Sequence, residues 1–529
     1  MAASCAIATP HTLATEAGEE AFNSGGNAID AAIAAATVLT VVYPHMCAVG
    51  GDLWAIVVDP DGKASVVDGC GASAARSSLE KMRETHASMP VYGPETITVP
   101  GVVGGWGELI DLGAKLDREA LFVSAIRHAR HGVPVAPSLA RAIIEEADLI
   151  GENTGLRALL APKGRPLDQG DLLVQPNLAR SLKHIAVKGE RTLYGGELGR
   201  AVIDGLATMG SELTIEDFAR HEGHVVEPLT LEFRGFDILT SPPPSQGVIF
   251  LEILSTINLL EKQCDLDAAT LARLFRLSAL DRDCFLADPE KSEVPVDRML
   301  SDEHIGELAI ASKDLADASS SIHQRRTRAG GDTVAVTAAD SEGWTVSLIQ
   351  SVFHSFGSGV LEPETGILFH NRGAAFSFDS GSPNVYAAEK KPMHTLMPAV
   401  AHDGEGVLAS MGTMGGLGQP QILTQLMLGL SEGQDATTIV SRPRFTVGGL
   451  DVDSERDTIF AEAAIDADGF VSLRQSEIGV EMLEGVSELV GHSQISIFRN
   501  GIGEAAADPR SDGSSVVAIR DKEGIDNNG

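Results

Sequence analysis

Apolar positions alternate with small or polar ones on both sides of Asp340-Ser-Glu-Gly343. The residues after Thr333 (Val-Ala-Val-Thr) and those after Trp344 both show the two-residue period of a β-strand buried on one side. The Asp-Ser-Glu-Gly segment between them is typical of a turn, so the pattern predicts a β-hairpin with strands over 334–338 and 344–351. Thr333 therefore lies at the start of a strand, directly after Gly330-Gly-Asp332.

The helical and strand patterns are distributed unevenly along the chain. Residues 107–330 are predicted to be mostly helical, with one helix from Arg118 to His131 and others at 138–149 and 214–221 that Ser138 and Thr214 would cap. Beyond Thr333 the pattern predicts further strands at 366–369, 398–402, 406–410, 457–463, 468–472 and 493–499, and helices at 419–431 and 435–440. This combination favours sheets packed between helical layers. Polar residues 312–330 are predicted to form a mobile linker.

Composition and charge exclude several classes of protein. The 529 residues carry a net charge of −34, which argues against nucleic-acid binding. No run of eighteen apolar residues occurs, so no membrane span is expected. The five cysteines are scattered, and the N-terminus lacks the basic, apolar and small-residue regions of an export signal, which together predict a cytoplasmic protein.

Nothing in the spacing of histidines and glycines predicts a metal or a cofactor. His45, His354 and His402 form no metal-ligand pattern. The glycine-rich segments at 101–105 and 412–418 lack the lysine of a phosphate-binding loop.

Thr333 carries candidate chemistry because of where it lies. If the chain were cut before it, its free α-amine would serve as the base that takes the proton of its own hydroxyl, and the oxygen would attack a carbonyl. The alternative is ordinary turn chemistry, for which Gly-Asp-Thr before a strand is equally suited.

Downstream motifs favour the catalytic interpretation. They are, in order, Phe356-Gly-Ser-Gly359, Glu364-Thr-Gly-Ile-Leu368, Asn371-Arg-Gly373, Pro392-Met-His-Thr395, Met411-Gly-Thr-Met-Gly-Gly416 and Arg442-Pro-Arg-Phe445. With these motifs the chain resembles the γ-glutamyltransferase family over nearly its whole length, from about His11 to Arg510. The resemblance implies a four-layer αββα sandwich of the N-terminal-nucleophile hydrolase type. It also implies self-cleavage into a helix-rich region 1–332 and a region 333–529, which stay together as one domain and a heterodimer.

The resemblance also implies roles for individual residues. Thr333 would be the nucleophile, and Ser351 occupies the position of a second threonine that hydrogen-bonds it. Gly415 and Gly416 match the glycines that hold the oxyanion, a role that suits adjacent glycines between a strand and a helix. The alternative for Ser351 is a solvent-facing serine on a strand. The alternative for Gly415 and Gly416 is a simple turn between a strand and a helix.

The substrate-binding positions depart from the family pattern. The residues that would bind the α-carboxylate and α-amine of a γ-glutamyl group are replaced by Asp68, Phe353, Arg372, Ala375, His394 and Thr395. Arg372 adds a cation whose planar fork suits a carboxylate, and His394 and Thr395 add donors. The alternatives are a structural ion pair for Arg372 and a packing role for His394.

The sequence thus predicts an autoprocessing threonine amidohydrolase for a small amide that bears a carboxylate but no α-amine. The Asn371-Arg-Gly373 and His394-Thr395 pattern resembles that of the oxamate amidohydrolases of this family, which implies an oxamate-like substrate. Two alternatives remain open at this point. One is a true γ-glutamyltransferase or glutathione hydrolase with a remodelled pocket, and the other is an unprocessed paralogue that binds or scaffolds without catalysis.

Overall fold

A computed structural model describes residues 3–313, 332–404, 406–448 and 458–520. Its strands are β1 (Ala3–Thr9), β2 (Asp52–Val58), β3 (Ala64–Gly69), β4 (Val133–Pro134), β5 (Leu172–Leu173), β6 (His224–Val226), β7 (Leu229–Phe233), β8 (Phe236–Thr240), β9 (Asp332–Asp340), β10 (Thr345–Phe353), β11 (Leu361–Glu362), β12 (Ile367–Leu368), β13 (Ala399–His402), β14 (Val407–Met414), β15 (Phe445–Val447), β16 (Thr458–Glu462), β17 (Gly479–Leu483), β18 (His492–Arg499), β19 (Ile502–Ala507) and β20 (Ser514–Arg520). Its α-helices are α1 (Thr12–Asn23), α2 (Ala28–Val42), α3 (Leu79–Thr85), α4 (Val102–Asp111), α5 (Arg118–His131), α6 (Pro137–Glu145), α7 (Ala147–Glu152), α8 (Thr154–Leu160), α9 (Pro176–Lys188), α10 (Glu197–Thr208), α11 (Ile215–Arg220), α12 (Gly247–Glu261), α13 (Ala268–Phe285), α14 (Val296–Met299), α15 (Asp302–Ala311), α16 (Gln419–Ser431), α17 (Ala436–Ser441) and α18 (Ala467–Arg474).

Two antiparallel sheets form the centre of the molecule. The first has the strand order β20-β1-β9-β10-β2-β3-β6, and the second has the order β19-β18-β14-β13-β8-β7. The predicted hairpin is confirmed as β9 and β10, which pair from Thr345 opposite Ala339 and lie in the middle of the first sheet. A bulge between Gln350 and Phe353 interrupts this pairing where β10 ends.

The alternation of side chains along the strands separates the molecule into four layers. In β2, Leu53, Ala55 and Val57 pack in the core shared with α1, α2, α4, α5 and α9. The intervening Trp54, Ile56 and Val58 point the other way and pack with residues of β8 and β13 in a core between the sheets. The outer face of the second sheet packs against α12, α13 and α16. The four-layer αββα sandwich is therefore confirmed, because period-two strands must bury both faces.

One predicted strand is wrong. Residues 468–472 lie within helix α18. The carboxylate of Asp466 accepts a hydrogen bond of 2.7 Å from the Gly469 amide and caps this helix, and Leu473 is buried against the second helical layer. A capped helix start and one tertiary contact outweighed the strand preference of Phe470 and Val471.

The helix predicted for 138–149 is divided at Glu146 into α6 and α7. Pro137 occupies the first turn of α6, so Ser138 lies inside the helix and does not cap it, and its hydroxyl contacts Asp512. Thr214 is confirmed as the cap of α11, where it forms a capping box with Asp217.

Of the predicted linker at 312–330, residues 314–330 lie outside the described residues. Both sheets combine strands from before and after Thr333, and the division into 1–332 and 333–529 stays a prediction. Among the helices of the described residues, none has the length and apolar character to cross a membrane.

Candidate active site

Thr333 lies near the start of β9 on the face that meets the second sheet. The same face carries Ala335, which belongs to the core between the sheets, and Thr337, whose hydroxyl lies 3.0 Å from Ser496 Oγ of β18. Thr333 is 1% exposed. Strand periodicity therefore places the predicted nucleophile in the layer between the two sheets.

The hydroxyl of Ser351 contacts both the predicted nucleophile and the peptide bond that precedes it. Thr333 Oγ1 donates to Ser351 Oγ at 3.2 Å, and Ser351 Oγ donates to the Asp332 carbonyl oxygen at 2.5 Å. The Phe353 amide donates to Ser351 Oγ at 2.7 Å, across the bulge of β10. One hydroxyl can donate once and accept twice, so this arrangement uses the whole hydrogen-bonding capacity of Ser351. It also brings a donor to the carbonyl of the 332–333 bond.

Gly415 and Gly416 form the junction between β14 and a 3₁₀ turn at Gly416–Gly418 that leads into α16. Their φ angles of 153° and 47° lie in the region that favours glycine. Within the described part of the chain, neither amide N–H donates a hydrogen bond to another residue. The junction therefore presents two adjacent backbone donors, as an oxyanion site requires.

Arg372 is completely buried, and its guanidinium is only partly paired. Its Nη1 donates to Thr395 Oγ1 at 2.9 Å, and its guanidinium carbon lies 4.3 Å from the centre of the Phe353 ring. Nε and Nη2 have no hydrogen-bond partner among the described residues. Burial lowers the pKa of Arg372 to about 10, so it is a cation at neutral pH with donor capacity to spare.

Asp52, which the sequence did not single out, is the buried acid beside this cation. Its Oδ2 lies 3.7 Å from Arg372 Nε and 3.1 Å from His394 Nε2, and its Oδ1 accepts from the Gly101 amide at 3.2 Å. Burial raises the pKa of Asp52 to about 7, and this effect exceeds the opposing effect of Arg372. At neutral pH the pair therefore carries between zero and one net positive charge.

His394 is a fully buried, hydrogen-bonded histidine. Its Nδ1 accepts from the Leu396 amide at 3.3 Å, which leaves the proton on Nε2, where it is donated to Asp52. Burial lowers the pKa of His394 well below its usual value, so the ring is neutral. These contacts favour the interpretation of His394 as a packed, orienting residue.

Gln246 joins the Arg372 region to the glycine junction. Its side-chain amide donates at 2.8 Å to the carbonyl oxygens of both Thr395 and Gly416. An unbroken series of contacts therefore connects the sequence-predicted site residues. It runs from Thr333 through Ser351, Phe353, Arg372 and Thr395 to Gln246, which the sequence did not predict, and on to the Gly415–Gly416 junction. His394 joins the series through Asp52. Sequence reasoning missed Asp52 and Gln246, because an aspartate after Gly50-Gly51 and a glutamine after a proline-rich loop carry no local signal of function.

Asp68 and Ala375, two of the positions at which the sequence departs from the family pattern, lie outside this series of contacts. Asp68 forms a salt bridge of 2.7 Å with Lys391 and accepts from the Cys70 amide at 3.0 Å. Ala375 ends a short 3₁₀ helix that begins at Arg372.

Known proteins are similar to this chain over nearly its whole length. The family model described as gamma-glutamyltranspeptidase matches residues 14–518. The chain is 35% identical over 524 residues to the oxamate amidohydrolase proenzyme of Klebsiella pneumoniae, covering 96% of this chain and 97% of that protein. It is 32% identical to the glutathione hydrolase-like YwrD proenzyme of Bacillus subtilis, covering 96% of this chain and 98% of that protein. The crystal structure of cephalosporin acylase from Bacillus halodurans superimposes with a TM-score of 0.86 at 29% identity, covering 97% of this chain and 96% of that one. The protein therefore belongs to the gamma-glutamyltranspeptidase family.

Proposed function

We propose that this protein is a self-processing amidohydrolase whose nucleophile is Thr333. The observation that carries the proposal is the double contact of Ser351, whose hydroxyl bonds both Thr333 Oγ1 and the carbonyl oxygen of Asp332. Relatives over nearly the full length are named as proenzymes of an amidohydrolase and of a glutathione hydrolase-like protein, which supports an enzyme that acts on amides.

In self-cleavage, Thr333 Oγ1 attacks the carbonyl carbon of Asp332. The donor hydrogen bond from Ser351 stabilises the negative charge that develops on that carbonyl oxygen. The new C–O bond replaces the C–N bond, and the proton of the hydroxyl ends on the released α-amine of Thr333. Water then hydrolyses the ester, which leaves Asp332 as a terminal carboxylate and Thr333 as an N-terminal residue.

In turnover, the free α-amine of Thr333 takes the proton of its hydroxyl as the oxygen attacks the substrate amide. The amide groups of Gly415 and Gly416 donate to the oxyanion, and the proton passes to the departing amine or ammonia. Water releases the acyl group by the same route and regenerates the threonine.

The pocket chemistry supports a substrate that carries a carboxylate. Arg372 keeps Nε and Nη2 free of hydrogen bonds within the described residues, and Thr395 holds its Nη1. A buried guanidinium with spare donors binds a carboxylate strongly and with fixed geometry. We therefore propose an oxamate-like amide as the substrate class, in the reducing environment of the cytoplasm.

The self-cleavage proposal is tested by denaturing electrophoresis and N-terminal sequencing of the purified protein. We expect two fragments, the smaller beginning at Thr333, and a single full-length band for Thr333→Ala. The matched control is Thr337→Ala, on the same strand and face, which should cleave normally. A wild-type chain that stays intact would contradict the proposal and favour a non-catalytic binding protein.

The substrate proposal is tested by comparing oxamate with oxamide, its neutral counterpart, and with a γ-glutamyl anilide. We expect oxamate to be preferred, and Arg372→Lys to lower kcat/KM for oxamate by about 10–100-fold with little effect on oxamide, because lysine lacks the planar fork. Efficient turnover of the γ-glutamyl anilide without turnover of oxamate would instead establish the glutathione hydrolase alternative, which the YwrD relative favours.

A further inference from the structure

The second helical layer contains a cluster of possible metal ligands that is separate from the candidate active site. Glu252 of α12, Asp281 of α13 and His304 of α15 each offer one ligand atom, and these atoms lie within 4.8 Å of one another. His304 Nε2 lies 2.9 Å from Asp281 Oδ2 and 3.6 Å from Glu252 Oε2. No sequence pattern predicts this cluster, because its members come from three different helices.

Glu252 is the unusual member. It is completely buried, and neither of its carboxylate oxygens completes a hydrogen bond with the described residues. The hydroxyl of Ser278, one turn before Asp281 on α13, is also buried and lies beside Glu252 without completing a hydrogen bond among the described residues. A buried carboxylate is costly unless a cation compensates it, and the single Nε2–H of His304 is directed between two acids.

We propose that Glu252, Asp281 and His304 Nε2 bind one divalent zinc ion. One imidazole and two carboxylates with a water molecule complete the tetrahedral set that zinc adopts with three protein ligands. The opposite ring nitrogen, His304 Nδ1, lies 3.9 Å from a carboxylate oxygen of the exposed Glu307, which is too far for a hydrogen bond. The side chains of His304 and Asp281 are 14% and 17% exposed, so an ion can enter from the surface.

Zinc at this position would fix three helices that all precede Thr333. Helix α12 directly follows Gln246, whose amide contacts Thr395 and Gly416, and α15 is the last described helix before the predicted cleavage point. The role that follows is structural, and it holds whether or not the chain cleaves itself.

The test uses the full-length protein, stripped with a chelator and dialysed. We expect one equivalent of zinc per chain by elemental analysis and calorimetry, and a higher Tm with zinc than without. His304→Ala should abolish both effects. The matched control is His402→Ala, a surface histidine that lies 3.9 Å from Asp237 and should leave both unchanged.

Two further variants separate a zinc site from a simple ion-pair cluster. Glu252→Gln should lose the zinc response yet remain folded, with a Tm at least equal to that of the stripped wild type, because a buried amide is easier to accommodate than a carboxylate. Glu307→Gln should weaken zinc binding only slightly, because it removes a nearby exposed charge but no hydrogen bond to His304. The proposal is overturned if the wild type binds no stoichiometric zinc, if His304→Ala keeps the zinc-dependent rise in Tm, or if Mn²⁺ binds more tightly than zinc.

Discussion

At the scale of the residue, the candidate site depends on the hydroxyl of Ser351, whose hydrogen-bonding capacity is fully used. Ser351 commits its one proton to the Asp332 carbonyl and its lone pairs to Thr333 and Phe353. Since a serine hydroxyl rotates freely, two acceptor contacts and one donor contact hold it in a single orientation. The precursor geometry therefore depends on an atom that a single substitution removes.

We expect Ser351→Ala to slow self-cleavage by about 10²-fold, because the developing oxyanion loses a fixed donor. Ser351→Thr should cleave at nearly the wild-type rate, since it keeps the hydroxyl. The rate is measured from the fraction of cut chain during cell-free synthesis.

The control for this experiment is Ser347→Ala, on the same face of β10. Ser347 Oγ donates to the Met411 carbonyl oxygen at 2.7 Å and is not hydrogen-bonded to the 332–333 bond. Wild-type cleavage in Ser351→Ala, or an equal slowing in both alanine variants, would show that the hydroxyl has no specific part in processing.

Asp52 makes folding stability depend on pH. Its folded-state pKa of about 7 lies above the ordinary value of 3.8, so the native state binds this proton more tightly than the unfolded state does. The contribution of Asp52 to the stability of the protein is therefore highest below pH 4 and falls as the pH rises towards 7. Each pKa unit corresponds to about 1.4 kcal/mol, so between pH 5 and pH 8 the wild type should lose about 2–3 kcal/mol relative to Asp52→Asn.

Urea denaturation of the two proteins at both pH values measures this difference. Asp61→Asn, in an exposed turn, is the control and should follow the wild type. Wild-type and Asp52→Asn stabilities that change in parallel with pH would mean that Asp52 does not take up a proton on folding.

At the scale of the element, long periodic segments were predictable, and so were short ones such as β13 and α17, whereas α18 was not. The hairpin β9–β10 follows from two-residue alternation and helix α16 from a helical pattern, each over many residues with clear turn or glycine boundaries. Helix α18 has only eight residues and was mistaken for a strand, because its start depends on the Asp466 cap and its orientation on the burial of Leu473. The site residues that lie in recognisable motifs were predictable. Asp52 and Gln246 were not, because their place in the site depends on contacts with residues distant in sequence.

The contact between β14 and the first sheet depends on the absence of a side chain at Gly412. A Cβ there would lie 2.5 Å from Ile349 Cδ1 and 2.9 Å from Ala335 Cβ, both across the layer that contains Thr333. We expect Gly412→Ala to destabilise the protein by about 1–3 kcal/mol and lower its Tm, because the two sheets must move apart.

Gly151→Ala is the matched control, since a Cβ at that position of α7 meets nothing within 4 Å. It should be neutral or stabilise by up to about 1 kcal/mol through helix propensity. Equal Tm values for Gly412→Ala and the wild type would show that the sheets are less tightly packed at this point than the distances indicate.

At the scale of the whole molecule, the predicted cleavage point does not coincide with a boundary between layers. In the first sheet, β9 pairs with β1 and β10 pairs with β2, so strands from either side of Thr333 alternate. In the second sheet, the strands that follow Thr333 and those that precede it form two blocks, which meet where β13 pairs with β8. Each predicted fragment would therefore lack strands of both sheets and would expose its buried apolar face.

We expect the two fragments to remain together after cleavage and to separate only in denaturant. Size-exclusion chromatography of the processed protein should give one peak that contains both bands, at the elution volume of uncut Thr333→Ala. In concentrated guanidinium chloride the bands should elute apart. Residues 1–332 expressed alone should be insoluble or unfolded, because the strands that pair with β1 and β2 are missing. A fragment that elutes separately in native buffer would contradict this, since leaving the complex breaks strand pairings in both sheets and exposes the layer between them.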